Sequence, residues 1–244
     1  MYAKLTDFPH TAALPPRKTR YFHYLCRKSN PSIMADDYIG RKMEDFRARA
    51  ATPAARPAAS LTKLLRRNRS HRGYDAGFKV RPDQLRKIIE VNTLTPSARN
   101  AQSLRFLPVL GDQAAKVTGC IRLGGALPEL HLPLPGTEPN AYIIVCSAAE
   151  QGADLFIDLG ISAQSMLLRA TEMGLNGICI RAFDRMRIRE IFSLDCEPLL
   201  ILAIGRGTDR IELVDIRSQD DRRYYRVDGV HYVPKLTVDD LIIE

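Results

Sequence analysis

Short apolar runs after residue 104 predict a set of buried β-strands. The runs are rich in Ile, Val and Leu, and turn residues bound each of them. Short runs of this composition favour strands over helices. Asp228-Gly229, between residues 223–227 and 230–233, indicates a hairpin near the end of the chain. The other predicted strands span residues 105–110, 141–147, 177–181 and 199–205.

Helices are predicted where apolar residues recur at helical spacing. The longest such segment is apolar around most of its circumference, so it is either central to the core or faces both the core and a partner subunit. Gly174 ends this helix, and Pro96 stops an earlier one. Because strands and helices do not alternate regularly, we predict a mixed α+β layer fold. The predicted helices span residues 61–67, 82–93, 153–173 and 184–192.

Composition divides the chain into three segments. Residues 1–33 mix Pro, basic and aromatic residues without a period, so we predict a disordered extension. We also hypothesise that the functional chain begins near Met34 and that the upstream extension is not native. Residues 34–60 then hold a short helix over 38–46 and an Ala/Pro-rich linker, and residues 61–244 form the main domain.

The composition of the chain narrows the function classes. Of its 244 residues, 45% are hydrophobic, but no apolar stretch is long enough to span a bilayer and the start lacks a secretory pattern. We therefore expect a cytoplasmic protein. Five widely spaced cysteines without metal-ligand spacing predict neither a metal site nor a disulfide framework. Cys146 and Cys179 lie in apolar runs and are predicted to be buried, inert thiols.

Basic residues are concentrated near the start of the chain. Residues 1–75 hold 16 Lys or Arg against 6 Asp or Glu, whereas the remainder holds 20 against 22. The formal net charge of +8 therefore comes from the first third of the chain. This distribution gives only weak support to nucleic-acid binding.

The first of two polar clusters, Arg69-Ser70-His71-Arg72, suits a phosphate group. Two guanidinium forks and a hydroxyl can donate several charge-assisted hydrogen bonds to its oxygens. The histidine of this cluster and His231 are both taken as surface residues, because no carboxylate or serine nucleophile pairs with them in the sequence.

The second polar cluster spans residues 96–102 and begins with Pro96 and Ser97. It contains Asn100 and Gln102, whose amides both donate and accept hydrogen bonds, as the edge of a heteroaromatic ring requires. A phosphate site followed by a ring-edge site predicts a nucleotide-like cofactor.

Four features in order resemble the FMN-dependent nitroreductase family. They are the R-S-x-R cluster, the P-S-x-x-N-x-Q cluster, the long helix from D-L-G-I-S-A-Q to T-E-M-G-L, and the following strand that enters F-D-R. The resemblance covers residues 61–205, and the tail 223–235 is similar to a bacterial subgroup. It implies a three-layer α+β sandwich with a mixed, mainly antiparallel sheet and flanking helices. It also implies an intertwined homodimer with two FMN sites built from both chains.

The same resemblance implies roles for particular residues. The arginine cluster would hold the FMN phosphate and ribityl chain, the second cluster would meet the ribityl or pyrimidine side, and the later strand would pass beside the isoalloxazine. A late arginine would add a phosphate contact. These residues are Arg69, Ser70 and Arg72; Ser97, Asn100 and Gln102; Cys179, Ile180, Arg181 and Ala182; and Arg206. The chain departs from many relatives at Ser103, where they have Pro, and near Cys179 and Ala182, where they have a small Pro or Gly.

The implied activity is hydride transfer from NADH or NADPH through flavin N5 to a nitroaromatic, a quinone or a similar small acceptor, by a ping-pong route. No catalytic side chain is required, since the flavin carries the chemistry. The alternatives are a specialised flavin-dependent dehydrogenase of the same superfamily, a non-catalytic FMN-binding or scavenging protein, and a basic nucleic-acid-binding module. Residues 124–139 form either a lid over the acceptor or a packed surface loop.

Overall fold

The chain divides into two units, residues 1–58 and 59–244. In the first unit, residues 40–44 are helical and exposed, inside the helix predicted over 38–46. The remainder of that helix, the predicted extension and the linker lie outside the described residues. The computed structural model describes residues 40–44, 60–125, 127 and 130–243.

Six α-helices and seven β-strands are found among the described residues of the second unit. The helices are α1 (Leu61–Arg67), α2 (Pro82–Glu90), α3 (Asp112–Thr118), α4 (Ala153–Glu172), α5 (Arg185–Phe192) and α6 (Val238–Leu241). Two short 3-10 turns span Val91–Thr93 and Ala98–Asn100. The strands are β1 (Leu104–Leu110), β2 (Ala141–Ser147), β3 (Asn176–Ile180), β4 (Glu197–Gly205), β5 (Arg210–Ile216), β6 (Tyr225–Val227) and β7 (Val230–Leu236).

The main sheet is antiparallel, with the strand order β1-β2-β4-β3. Side chains alternate between its two faces, so Ile143 and Val145 pack against α2 and α4, whereas Ile144 and Cys146 pack against α3 and α5. Helices thus cover both faces of the sheet. This arrangement confirms the predicted α+β sandwich of three layers.

Helix α4 has a buried side and an exposed side. Leu159, Ala163 and Met166 belong to the core, while Phe156 and Ile157 are 43% and 60% exposed. The sequence left two alternatives for this helix, and the exposed apolar side chains agree with the second, in which one side is available to a partner.

A second, smaller sheet with the order β5-β7-β6 follows the main one. The predicted hairpin at Asp228-Gly229 is confirmed and joins β6 to β7, and both of its turn residues have positive φ. Its register places Arg226 opposite His231. Strand β5, which was not predicted, pairs with β7 in parallel, and its charged residues interrupt the apolar pattern that marks a buried strand.

Gly177 in β3 is closely packed by neighbouring elements. A Cβ at this position would come within 2.6 Å of Leu167 Cδ2 and 2.7 Å of the Ala203 carbonyl oxygen. Ser70 forms a β-bridge with Gly177, and the His71 amide donates to the Gly177 carbonyl oxygen at 3.3 Å. The missing side chain therefore allows β3 to pack closely against α4 and β4, while the backbone of the same residue pairs with the arginine cluster.

We predict that Gly177→Ala lowers the free energy of unfolding by about 1–3 kcal/mol, because the added methyl group overlaps backbone as well as side chain. Gly119→Ala is the matched control, since its Cβ would find only ordinary contacts beyond 3.6 Å and should change stability by less than about 0.5 kcal/mol. Denaturant titration measures both variants. Equal stability of Gly177→Ala and the parent chain would contradict the close packing.

Candidate functional site

The arginine cluster lines a cavity of about 390 Å³ between the main sheet and the second sheet. We call this cavity the arginine pocket. Three of the predicted site residues of the cluster, Arg69, Ser70 and Arg72, reach it, and so does Cys179 of β3. The second sheet contributes side chains that were not predicted as site residues. These are Ile211, Tyr224, His231, Val233 and Lys235.

Arg72 is held at both its backbone and its guanidinium group. Its amide donates to Asp209 Oδ2 at 2.6 Å, and its Nη1 donates to the Ser70 carbonyl oxygen at 3.1 Å. Nη1 also lies 3.3 Å from His231 Nε2, and the guanidinium carbon lies 4.6 Å from the ring centre of Tyr224. Arg72 is only 9% exposed. The side chain is therefore fixed in place before any ligand binds.

Arg69 is held by its own helix end. Its Nε donates to the Asn68 carbonyl oxygen and its Nη2 to the Leu65 carbonyl oxygen, both at 2.7 Å. Partial burial lowers the pKa of Arg69, but a guanidinium stays charged at neutral pH. This cation also caps the C-terminal carbonyls of α1, which is a favourable position for positive charge.

A buried group of charged and polar side chains supports Arg72 from behind. Asp209 Oδ1 accepts from Arg226 Nη2 at 2.6 Å, and its Oδ2 lies 3.8 Å from His71 Nδ1. Burial alone would raise the pKa of Asp209, but hydrogen bonds from the Arg72 and Gly73 amides and the charge of Arg226 hold it below its ordinary value. Asp209 is therefore a carboxylate at neutral pH.

Both histidines of this group are buried, so the prediction that they lie on the surface is wrong. Burial, followed by the charge of Arg72, lowers the pKa of His231 to about 4. Burial also lowers the pKa of His71. Because an arginine can only donate, neutral His231 accepts through Nε2 and carries its proton on Nδ1. Among the described residues, that Nδ1 and Arg72 Nε are buried without a hydrogen-bond partner.

The second polar cluster lines a different cavity of about 520 Å³, which we call the amide pocket. Ser97 and Gln102 reach this cavity, whereas Asn100 lies beside it on an exposed turn. The Gln102 amide donates to Ser97 Oγ at 3.1 Å, and the Gln102 side chain donates to Asn100 Oδ1 at 3.3 Å. Asp158 of α4 supports the turn, because its Oδ1 accepts from the Ala98 amide at 2.9 Å.

One chain does not bring the two clusters into one pocket. Helix α4 contributes to both cavities, with Gln164 and Leu167 at the arginine pocket and Asp158 and Ser162 at the amide pocket. The linings of the two cavities have no residue in common.

The residues predicted along the later strand separate in the structure. Cys179 is exposed on the edge strand, so the prediction that it is buried is wrong. Although exposed, the thiol sits in a cavity wall whose low hydration raises its pKa to about 11. Ile180 is buried beneath it and Arg181 is exposed, while Ala182 lines a separate cavity beside Cys120.

Arg206 does not reach the arginine pocket. Its Nη1 lies 3.6 Å from Asp75 Oδ2, and its guanidinium carbon lies 4.1 Å from the ring centre of Phe78. Lys235, which sequence reasoning missed, supplies the late cation at the pocket wall instead. The strand period could have identified Lys235 in the sequence, because His231, Val233 and Lys235 fall on one face of β7 at a spacing of two.

Neither a metal site nor a membrane span is found in the described residues. No group of three or more His, Cys, Asp or Glu lies close enough to hold a metal ion there. None of the helices that the structure describes combines the length and the apolar character needed to cross a bilayer.

Comparison with known proteins agrees with this architecture. Residues 134–206 match the model of the nitroreductase family. YdgI of Bacillus subtilis, named as an NAD(P)H nitroreductase, is 23% identical over 184 residues, which cover 60% of this chain and 88% of that protein.

Two solved structures share the fold. A nitroreductase family protein from Streptococcus pneumoniae TIGR4 is 17% identical with a TM-score of 0.55, and the match covers 76% of this chain and all of the other. The FMN- and NADPH-dependent nitroreductase NfnB from Sphigopyxis sp. strain HMH is 19% identical with a TM-score of 0.52, covering 62% and 89%.

The chain therefore has the α+β fold of solved nitroreductase-family structures. Its residues 134–206 are similar to the family model, and the whole match to the curated relative covers most of that protein.

The buried histidines predict a pH-dependent stability. The pKa of His231 is near its ordinary value of 6.5 in the unfolded chain and about 4 in the folded chain, so between these pH values the unfolded chain binds more protons. The free energy of unfolding should therefore fall as the pH is lowered from about 6.5 to 4. His231→Gln should give a shallower fall, because the amide oxygen accepts from Arg72 without titrating.

Denaturant midpoints measured between pH 4 and 7 check this effect, with His131→Gln at an exposed position as the control. Part of the slope should remain in His231→Gln, since the pKa of His71 is also lowered. The assignment fails if His231→Gln and the parent chain lose stability in parallel.

Proposed function

We propose that this chain is an FMN-dependent oxidoreductase that passes hydride from NADH or NADPH to a small acceptor, such as a nitroaromatic or a quinone, by a ping-pong mechanism. The observation that carries the proposal is the arginine pocket, a prebuilt site for a dianionic group. NfnB, which shares the fold, is named as FMN- and NADPH-dependent.

The chemistry of the arginine pocket fits a phosphate. Arg69, Arg72 and Lys235 supply three cations, and no carboxylate belongs to its described lining. The Ser70 hydroxyl adds a donor. Arg72 Nε and His231 Nδ1 remain buried donors without partners among the described residues, so this wall holds more donors than its own chain satisfies. An anion suits such a wall better than a neutral ligand.

A second copy of the chain would complete the site. The amide cluster lies outside the arginine pocket, and α4 reaches both cavities while exposing Phe156 and Ile157. Large apolar side chains exposed together on one helix are typical of protein interfaces. Packing of α4 against a second copy would bury this surface and bring Asn100 and Gln102 of one copy towards the arginine pocket of the other. The proposal is therefore a homodimer with two shared sites.

The residues of this chain would bind and orient the reactants. Bound FMN would supply reversible hydride transfer, which needs no acid or base from the protein. Arg72, Ser70 and Lys235 would hold the phosphate, and Ser97, Asn100 and Gln102 of the second copy would contact the ribityl or pyrimidine side. Cys179 would line the ring site as a neutral thiol, because its raised pKa of about 11 prevents ionisation at neutral pH.

The direct test uses the full chain purified with FMN. The protein should be yellow, and NADH or NADPH should bleach the flavin spectrum under anaerobic conditions, after which a nitroaromatic or quinone should restore it. Colour without bleaching would favour the non-catalytic FMN-binding alternative. A chain that cannot be reconstituted with FMN would refute the proposal.

Arg72→Ala should weaken FMN binding by about 1.5–3 kcal/mol, roughly 10- to 150-fold in dissociation constant, because a charge-assisted contact to the phosphate is lost. Arg206→Ala is the matched control: its guanidinium contacts Asp75 and Phe78 outside the pocket, so FMN affinity should not change. Fluorescence titration measures both dissociation constants. Unchanged binding by Arg72→Ala would refute its assignment.

Ile157→Arg should convert the proposed dimer to a monomer, because it places charge on the exposed apolar side of α4. FMN affinity should fall with it, since each site needs the second copy. Met186→Arg is the control, as Met186 is 75% exposed on α5 and lines neither pocket. Sedimentation velocity and FMN titration report both properties. Full FMN affinity in a monomeric variant would refute the shared site.

A further inference from the structure

Asp209 occupies the short connection between the two sheets, after β4 and before β5. Its side chain is 9% exposed and accepts hydrogen bonds from the arginine cluster on one side and from the second sheet on the other. Oδ2 accepts from the amides of Arg72 and Gly73, at 2.6 and 3.0 Å. Oδ1 accepts from Arg226 of β6 at 2.6 Å. One carboxylate therefore joins the arginine cluster to the second sheet.

The guanidinium of Arg72 depends on the same sheet. Apart from the Ser70 carbonyl oxygen, its contacts are His231 of β7 and the ring of Tyr224, next to β6. Asp209 thus fixes the backbone of Arg72. The second sheet, which begins directly after Asp209, fixes the side chain of Arg72. If that sheet moved away, Arg72 would lose the contacts that hold it at the arginine pocket.

Electrostatics give Asp209 a second role. Arg72 and Arg226 are two buried or half-buried cations, and both nearby histidines are neutral at pH 7 because burial lowers their pKa values. Asp209 is the one carboxylate that contacts this group in the described residues. Without its charge, two guanidinium groups would repel each other in a poorly hydrated site.

We propose that Asp209 is a positioning residue for anion recognition: its negative charge ties the arginine cluster to the second sheet and holds Arg72 at the pocket wall. This inference rests on the proposed function, in which the anion is the FMN phosphate. Asp209 does not line the arginine pocket, so it acts through Arg72. Its effect is therefore confined to the phosphate end of the flavin.

Asp209→Asn tests the proposal, because it preserves shape but removes the charge and turns an acceptor into a donor. We expect the FMN dissociation constant to rise about 10-fold or more. The affinity for riboflavin, which lacks the phosphate, should change less than about twofold. Asp75→Asn is the matched control, since this carboxylate lies on the loop of the arginine cluster but contacts Arg206 outside the pocket. It should leave both affinities unchanged.

Arg226→Gln provides a second variant if Asp209→Asn does not fold. It removes the sheet-side partner of Asp209, and Arg226 does not line the pocket. It should also weaken FMN binding while sparing riboflavin. In the double variant, the two effects should be less than additive, because both break the same connection.

The outcomes separate this inference from the proposed function. Selective loss of FMN affinity supports the positioning role, whereas equal loss of FMN and riboflavin affinity shows a general structural role and overturns it. Unchanged FMN affinity in Asp209→Asn overturns this inference alone, provided that the parent chain binds FMN. A parent chain that binds neither flavin overturns the proposed function, and this inference with it.

Discussion

The docking of residues 70–75 between two backbone segments is the constraint on which the rest of the site depends. On one side, Ser70 and His71 pair with Gly177 at the edge of the main sheet. On the other side, the amides of Thr208 and Asp75 donate to backbone carbonyls across the connection between β4 and β5. Backbone hydrogen bonds fix direction as well as distance, so the loop has one orientation relative to the sheet. The position of Arg72 at the pocket wall follows from that orientation.

The charges behind this loop show why the pocket favours an anion. The negative charge of Asp209 compensates one of the two positive charges on Arg72 and Arg226. The neutral histidines carry no charge that could compensate the other. The buried group therefore keeps an excess positive charge, which Arg69 and Lys235 increase at the pocket wall. Burying a charge without compensation is costly, so the cost is offset when an anion binds. Burial, together with this positive charge, lowers the pKa of both histidines and makes them sensitive to acid.

Local patterns predicted the core of the fold and the residue types of the site, but not how distant segments meet. The β2 and β4 runs and the buried side of α4 follow from apolar periodicity. Strand β5 was not predicted, because its alternating charged residues are also typical of a loop. His231 has no local partner in the sequence, because Arg72 lies 159 residues away. The family resemblance implies a phosphate contact for Arg206, whereas Phe78 and Asp75 hold its guanidinium outside the pocket. Such contacts depend on tertiary structure, which one sequence does not encode as a local signal.

The backbone of the amide cluster gives an independent reason to expect a second component at the site. Arg99, Asn100 and Gln102 have φ angles of 53°, 53° and 47°, a left-handed region that residues other than glycine rarely adopt. Each such residue costs of order 1 kcal/mol. Within the chain, the contacts of Ser97 Oγ, Asp158 and the Asn100 amide hold this turn on an exposed surface. A strained, exposed turn that presents amide groups is explained if those groups act outside their own chain. The exposed apolar side of α4, which is the helix supporting the turn, supplies the surface on which that contact would be made.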